Sequence, residues 1–388
     1  MIPIQYSVRS LMVRKATTIA TALGVALVVF VLASALMLSA GVRKTLAVGG
    51  KPDVAIVLRR GSDAELGSTI DAAQVNVLLA TTGIRHDGSG KPIGSGEVIV
   101  VGALEKIGAS GVSNVQIRGV TEASLRLRPD VKIIAGRAPK PGSDECMIGE
   151  RLRGRFKGLD VDQSFDLRKN RPAHVVGVFS ASGSSYESEV WVDLDTLRAA
   201  FGREAMVSSI RVQLESEGGY DAFKANVESD KSLGYLVMRD AEYFERQSEG
   251  TAKFITVLGA LISVFFAIGA MIGAMITMYS AIANRQREIG TLRALGFSRT
   301  SVLTAFLLES VLLSLLGGVV GTVASLGMGF VKFSMLNLAS WSEIVFSFDP
   351  TPAILLRAMV FAVVMGLFGG LFPAVQAARV SAIRAMRA

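Results

Sequence analysis

Four long apolar blocks, separated by stretches in which charge returns, dominate the chain. Between Lys15 and Arg43 lie 27 residues without a charged side chain, Ala16 to Val42. A second run of 31 spans Phe254 to Asn284, a third from Thr300 to Val331 contains Glu309 as its single ionisable group, and a fourth of 21 covers Ala358 to Ala378. A helix needs about 20 apolar residues to cross a hydrocarbon core of ~30 Å, and each block is long enough. The pattern predicts transmembrane helices over 16–42, 254–284, 300–331 and 353–378. The first two exceed the requirement by about 10–16 Å at ~1.5 Å per residue, so they tilt or continue past the bilayer as a stalk. The stalk is favoured by Asp240 to Lys253, a run compatible with helix apart from Gly250. A cleaved signal peptide would have an apolar core of only about 7–15 residues, so the first block reads as an uncleaved anchor.

Between the first two blocks the periodicity changes. Runs rich in Val and Ile occur at Asp53–Leu58, Glu97–Gly102, Asn114–Val120, Val131–Ala135, His174–Phe179, Glu189–Val192 and Ser208–Leu214. In the last, Ile210, Val212 and Leu214 alternate with Arg211 and Gln213, the signature of a half-buried strand. Helical stretches fit Asp71–Ala80, Glu145–Lys157, Leu194–Phe201 and Tyr220–Ser229. The expected fold is an α-helical membrane protein with four transmembrane helices and an extracytoplasmic α+β domain, residues 43–253, between the first and second spans. The glycine-rich stretch Gly83–Gly96 reads as a loop and a lobe boundary. Residues 332–352 read as a short extracytoplasmic loop, and 379–388 as a cytoplasmic tail. In residues 1–15, Ile4, Val8, Leu11 and Met12 follow helical spacing opposite Gln5, Arg9 and Arg14, as in an amphipathic helix lying in the cytoplasmic interface.

Charge assigns the sides. The N-terminal 15 residues, the connection 285–299 and the tail together carry ten basic residues and one acid, Glu288, whereas 43–253 holds 29 of each sign. Basic residues mark cytoplasmic ends, so both termini and 285–299 face the cytoplasm and the large domain faces outward. The net charge of +8 is therefore topological, and nucleic acid is excluded as a partner. Membrane lipids are the expected surroundings.

Motifs for chemistry are scarce. Gly88-Ser89-Gly90-Lys91 resembles part of a phosphate-binding loop, but Pro92 follows the lysine and Arg85 stands where the first glycine belongs. His86 and His174 are far apart in sequence, and the single cysteine, Cys146, reads as a small buried hydrophobe. No metal, cofactor or catalytic group is expected. Within the membrane, Gly269/Gly273, Gly317/Gly321 and Gly366/Gly370 have the spacing that lets helix backbones approach closely. Glu309 is an intramembrane acid near the cytoplasmic end of its span, where an arginine at the interface is the expected partner.

The segment after the second span reads Arg285-Gln286-Arg287-Glu288-Ile289-Gly290-Thr291-Leu292-Arg293-Ala294-Leu295-Gly296. Together with one span, a large outer domain and three further spans, it resembles the permease subunits of MacB/FtsX/LolC-type ABC transporters, in which R-x-x-E-I-G-x-L-[RK]-A-[LI]-G recurs. Pro373-Ala374, Ala377-Ala378-Arg379 and Ala385-Met386-Arg387 resemble the ending of that family, with Ala382 in place of its proline and Arg384 in place of its acid. Arg14-Lys15 and Thr21-x-x-Gly24-Val25 resemble its entry into the first span. Gly136-Arg137, Ile148-Gly149, Val175-Val176-Gly177 and Val190-Trp191-Val192 resemble its MacB-type periplasmic domain.

The resemblance implies a non-catalytic subunit of the bacterial inner membrane, with its domain in the periplasm. Residues 285–299 would form a coupling helix seated on a separate cytoplasmic ABC ATPase that binds ATP and Mg; no Walker motif occurs in this sequence. Arg287, Glu288, Ile289, Gly290, Leu292, Arg293, Ala294, Leu295 and Gly296 would carry that contact. Two permeases, identical or homologous, would join two ATPases, with a periplasmic adaptor as a further partner. Movement of the outer domain would drive export or release of a substrate, or, as in FtsX-type proteins, would activate a cell-wall hydrolase without cargo.

Overall fold

The computed structural model describes residues 11–13, 15–108, 110–229, 233–337 and 339–380. The interfacial helix expected at 1–15 and the tail 379–388 lie largely outside the described residues. Four helices are long and apolar enough to cross a membrane. They are α1 (Lys15–Ala47), α6 (Asp240–Asn284), α8 (Arg299–Leu326, extended by a 3-10 turn to Phe330) and α9 (Pro352–Ala378). The 45 residues of α6 correspond to about 68 Å of unbroken helix. The chain divides into two compact units. One comprises the described residues of Met1–Ala40, Ala252–Val331 and Phe348–Ala388; the other comprises those of Gly41–Thr251 and Lys332–Ser347.

In the first unit the helices meet through small residues. Val25, Val28, Val29 and Ala33 of α1 pack with Ala267 of α6 and with Ala358, Ala362 and Met365 of α9. Lipid tails are as apolar as leucine, so close van der Waals fit and hydrogen bonds hold such helices together. Ser310 of α8 supplies one, its hydroxyl donating to the Gly366 carbonyl at 2.8 Å. Ser39 supplies another, donating to the Ala252 carbonyl at 3.0 Å.

The second unit is built on a ten-stranded mixed sheet. Its strands are β1 (Val54–Arg59), β3 (Gly94–Glu105), β4 (Val112–Val120), β5 (Lys132–Gly136), β6 (Glu145–Gly149), β7 (Ser164–Arg168), β8 (Arg171–Ser180), β9 (Glu189–Asp193), β11 (Ser209–Gln213) and β12 (Tyr235–Arg239). The spatial order is β12-β1-β11-β3-β4-β9-β6-β8-β5, with β7 paired to β8. Most pairs are antiparallel; β4 with β9 and β6 with β8 are parallel. A two-residue pair, β2 (Ile70–Asp71) with β10 (Met206–Val207), stands apart. Short helices α2 (Ala73–Leu79), α3 (Glu122–Arg126), α4 (Leu194–Phe201) and α5 (Tyr220–Glu228) complete the unit. Its core gathers Val57, Val100, Ile117, Ile148, Val190 and Phe223, among others.

Three expectations are corrected. Glu145–Lys157 is not a helix: Cys146, Met147 and Ile148 are fully buried in β6 between β8 and β9, and only Glu150–Leu152 turns, as 3-10. An apolar run covered on both sides lacks the alternation that identifies a half-buried strand. The stretch Gly83–Gly96 divides no lobes, because its last residues already belong to β3, which pairs with β11 and β4 in the same sheet. Residues 332–352 are more than a loop, containing a hairpin of β13 (Lys332–Asn337) and β14 (Ser342–Ser347).

That hairpin belongs to the sheet-containing unit. Glu343 of β14 is buried, paired with Lys106 at 2.7 Å and also with Arg155, and it accepts a hydrogen bond from Ser113. Burial pushes its carboxyl up, but those partners outweigh it and hold the pKa at about 2. The amide of Val345 donates to Ser188 Oγ at 3.2 Å.

Candidate functional site

The segment after α6 forms the separate helix α7 (Gln286–Ala294). Arg285 breaks the regular path, with φ −119° and ψ 15°. The far end closes in a Schellman arrangement: Gly296 donates to the Arg293 carbonyl at 3.3 Å and Phe297 to that of Leu292 at 3.2 Å. Gly296 sits at φ +94°, a left-handed conformation that costs an ordinary residue roughly 1–2 kcal/mol. Ser298 then caps α8 by accepting from the Ser301 amide at 3.1 Å. The sequence thus encodes a stop and a start two residues apart.

α7 has two unlike faces. Ile289 and Gly290 point inward, and Ile289 packs with Met278, Ile282, Val302, Phe306, Ala374 and Ala377. Leu292 and Arg293 are half-buried. Arg287, Glu288, Ala294, Leu295 and Gly296 are exposed, Leu295 to 72%. The apolar spacing of Ile289, Leu292 and Leu295 therefore does not form one buried stripe. Only Ile289 is fully committed to the core, and Leu295 stands with the charged residues on the outer face.

Arg285 fastens the segment and was overlooked as a site residue by sequence reasoning. Its guanidinium is buried, with Nε donating to Glu288 at 3.0 Å, Nη1 at 3.4 Å from Glu309, and the group lying over the Phe306 ring at 5.7 Å from its centroid. Glu309 is 5% exposed. The intramembrane acid and the start of α7 are thus joined through one arginine, the first residue of the R-x-x-E pattern.

The three glycine pairs behave differently. A Cβ at Gly317 would lie 2.5 Å from the Ala22 carbonyl oxygen, and one at Gly321 2.4 Å from that of Ala26, so α8 and α1 touch through their backbones. At Gly366 and Gly370 it would meet Ser314 Oγ at 2.0 Å and Ser310 Cβ at 2.4 Å. At Gly269 and Gly273 it would meet nothing within 4 Å. This pair makes no close helix contact among the described residues. The near approach on α6 is instead at Gly259, where a Cβ would come within 2.3 Å of Ala35 Cβ.

A second polar constellation lies in the sheet unit, around the first residue of α6. Arg118 of β4 binds Glu189 at 2.7 Å, Glu97 at 2.8 Å and Glu65 at 3.0 Å; Arg128 binds Glu97 at 2.6 Å; and Arg211 of β11 binds Asp240 at 3.0 Å. Arg128 also covers the Tyr186 ring at 4.8 Å from its centroid. All seven ionised groups are buried. Burial drives the Glu97 carboxyl up, but Arg128, Arg211 and Arg118 prevail and hold it at about 2. Sequence reasoning did not single these residues out: Glu97, Arg118 and Arg211 sit within strand runs, and of them only Arg211 lies in a run with clear alternation, which places it opposite the apolar face.

Among the described residues no group of three or more His, Cys, Asp and Glu side chains is placed to hold a metal ion. Cys146 is buried, which pushes its thiol up to about 12 and leaves it without nucleophilic character at neutral pH. His174 Nδ1 lies 2.6 Å from Ser164 Oγ, a cross-strand pair between β8 and β7.

Residues 16–230 match the family model of the MacB-like periplasmic core domain, and residues 260–382 that of the FtsX-like permease C-terminal region. The ABC transporter permease YknZ of Bacillus subtilis is 28% identical over 227 residues, which are 56% of this chain and 54% of that one. The macrolide export ATP-binding/permease protein MacB of Escherichia coli is 31% identical over 238 residues, covering 58% of this chain and 35% of that protein. The solved periplasmic region of MacB from Actinobacillus actinomycetemcomitans aligns with 52% of this chain and 94% of its own, at 14% identity and a TM-score of 0.38. The matched portion thus spans about half the length of the first relative and about a third of the second.

Proposed function

The chain belongs to the MacB-like, FtsX-type family of ABC transporter permeases, and from that premise we propose that it couples ATP hydrolysis by a separate ATPase subunit to movement of its sheet domain. The coupling helix is α7, presenting Arg287, Glu288, Ala294, Leu295 and Gly296 to the ATPase. α7, both termini and the ATPase lie on the cytoplasmic side of a bacterial inner membrane, and the sheet domain lies in the periplasm. Two permeases, as a pair of copies or with a homologue, complete the complex with two ATPases that bind ATP and Mg. A periplasmic adaptor is a further partner. The output is export or release of a substrate from the periplasmic side.

One observation carries this reading. α6 is a single helix of 45 residues whose first residue, Asp240, is bound into the buried ionic cluster and whose last, Asn284, precedes α7 directly. A helix is stiff along its axis, so a displacement of the Asn284 end of α6 is delivered to its Asp240 end. The length of the segment between the first and second spans, 43–253, supports the export reading over hydrolase activation, for which a smaller outer domain suffices.

The test is capture of a co-expressed ABC ATPase by the full chain in detergent. Glu288→Lys replaces an attractive surface contact by repulsion, and Gly296→Trp forces a bulky residue into the left-handed turn. Both variants should insert in the membrane and lose ATP-dependent output, and at least one should retain less ATPase. Unchanged capture and output in both would reduce α7 to a turn between spans.

A further inference from the structure

Beside the close contacts of α1 and α8 at Gly317 and Gly321, residues of both helices and Leu11 and Met12 just ahead of α1 line an open groove of about 450 Å³. This lies within the roughly 300–1,000 Å³ of small-molecule sites. Leu11, Met12 and Ile19 form one wall, and Leu312, Leu316 and Val319 the other. Thr18 also faces it, but its hydroxyl already donates to the Leu11 carbonyl at 3.0 Å, so among the described residues no lining hydroxyl seeks a partner. The one charged group in the lining is Lys15, which is exposed and has no carboxylate partner among the described residues. The sequence gives that end no acid to offer, since no Asp or Glu precedes Asp53.

We propose that this groove is a binding site for one acyl chain of an anionic glycerophospholipid, whose headgroup phosphate pairs with Lys15. The apolar walls have the shape and chemistry for a hydrocarbon chain, but they do not select one lipid from another. A chain leaving the bilayer exchanges one apolar contact for another and gains little from the hydrophobic effect. Selection therefore rests on Lys15. A lysine near an anionic membrane surface contributes about 1 kcal/mol, which at ~1.4 kcal/mol per decade corresponds to about a five-fold preference. This inference stands apart from the coupling role of α7, since it concerns other residues and a different ligand.

The experiment uses the full chain in nanodiscs containing equal amounts of phosphatidylglycerol and phosphatidylcholine, with lipids retained after release counted by native mass spectrometry. The wild type should keep phosphatidylglycerol about five-fold over phosphatidylcholine. Lys15→Gln should bring the ratio close to one without lowering phosphatidylcholine retention. Leu316→Trp fills the groove from a position that is already 52% exposed, so the fold tolerates it, and it should remove about one retained lipid of either kind. Limited proteolysis checks that both variants remain folded. A ratio unchanged by Lys15→Gln would overturn the headgroup pairing. A lipid count unchanged by Leu316→Trp would overturn the site, as would occupation of the groove by a second copy of the chain.

Discussion

Arg285 Nη1 lies 3.4 Å from Glu309, so the residue that precedes α7 is ion-paired to an acid lodged in the third span. The same guanidinium reaches Glu288 on α7. Removing one member of a buried pair leaves an uncompensated charge, whereas removing both leaves none. Glu309→Leu should therefore lower stability by about 3 kcal/mol, seen as a lower melting temperature in detergent. Arg285→Met combined with Glu309→Leu should recover most of the loss. A double variant that loses the sum of both single effects would mean that the two residues act independently.

Leu295 offers a cleaner probe of partner contact, because it supports almost nothing inside this chain. Leu295→Ala should change stability by less than about 0.5 kcal/mol, as for an exposed site. It should weaken ATPase capture about ten-fold, in line with an apolar anchor at an interface centre. Equal capture by the variant and the wild type would take Leu295 out of the interface.

The buried carboxylates make the sheet unit acid-sensitive. The folded-state pKa of Glu97 is depressed from 4.5 to about 2, and Glu65 is lowered as well, its burial outweighed by Arg118 and Arg211. For a depressed carboxylate the stabilisation is complete above the unfolded pKa and lost as pH falls through the folded one. Unfolding followed by tryptophan fluorescence, which reads Trp191 in the core, should show stability falling between about pH 4.5 and pH 2. Glu97→Gln should be less stable at pH 7 and flatter across this window. An identical acid profile in that variant would remove Glu97 as a cause.

An insertion tests α6 where its Gly250 position faces open space, just before Ala252, whose carbonyl accepts from Ser39. Inserting Gly-Gly-Ser-Gly after Thr251 should leave complex assembly and ATP hydrolysis intact while abolishing export or release. Each glycine also costs about 1 kcal/mol of helix stability, so proteolysis of the sheet unit is the control. Output that survives the insertion would refute transmission along α6.

Topology has its own check. A reporter active only outside the cytoplasm should be active when fused after Gly111 or Gly218 and silent after Arg299. Activity at Arg299 would invert the orientation drawn from basic residues.

The membrane helices were readable because a block such as Phe254–Asn284 needs nothing but length and lack of charge to announce itself. β11 was readable because Ile210 and Val212 alternate with polar neighbours, and α4 because Leu194–Phe201 carries its apolar residues on one face. β6 was lost for the opposite reason: with both sides covered, Cys146, Met147 and Ile148 form a continuous run that helix and strand share. The ionic cluster was hidden because Arg118 and Arg211 are buried against carboxylates from β3, β9 and a 3-10 turn at Glu65. Such pairing is decided by tertiary neighbours and has no local pattern. Gly269 and Gly273 have the right spacing on the wrong face of α6, and spacing alone does not report the face.

The β13–β14 hairpin has a bearing on how such permeases can be recombined. Residues 43–253 have the look of a cassette, entering and leaving between two spans, yet Glu343 supplies from beyond the third span a charge that Lys106 and Arg155 neutralise. A chimaera that exchanged 43–253 alone would set a carboxylate selected for one host against the surface of another. The transferable module is therefore discontinuous, and a graft that carries 332–347 along with 43–253 keeps both sides of that match.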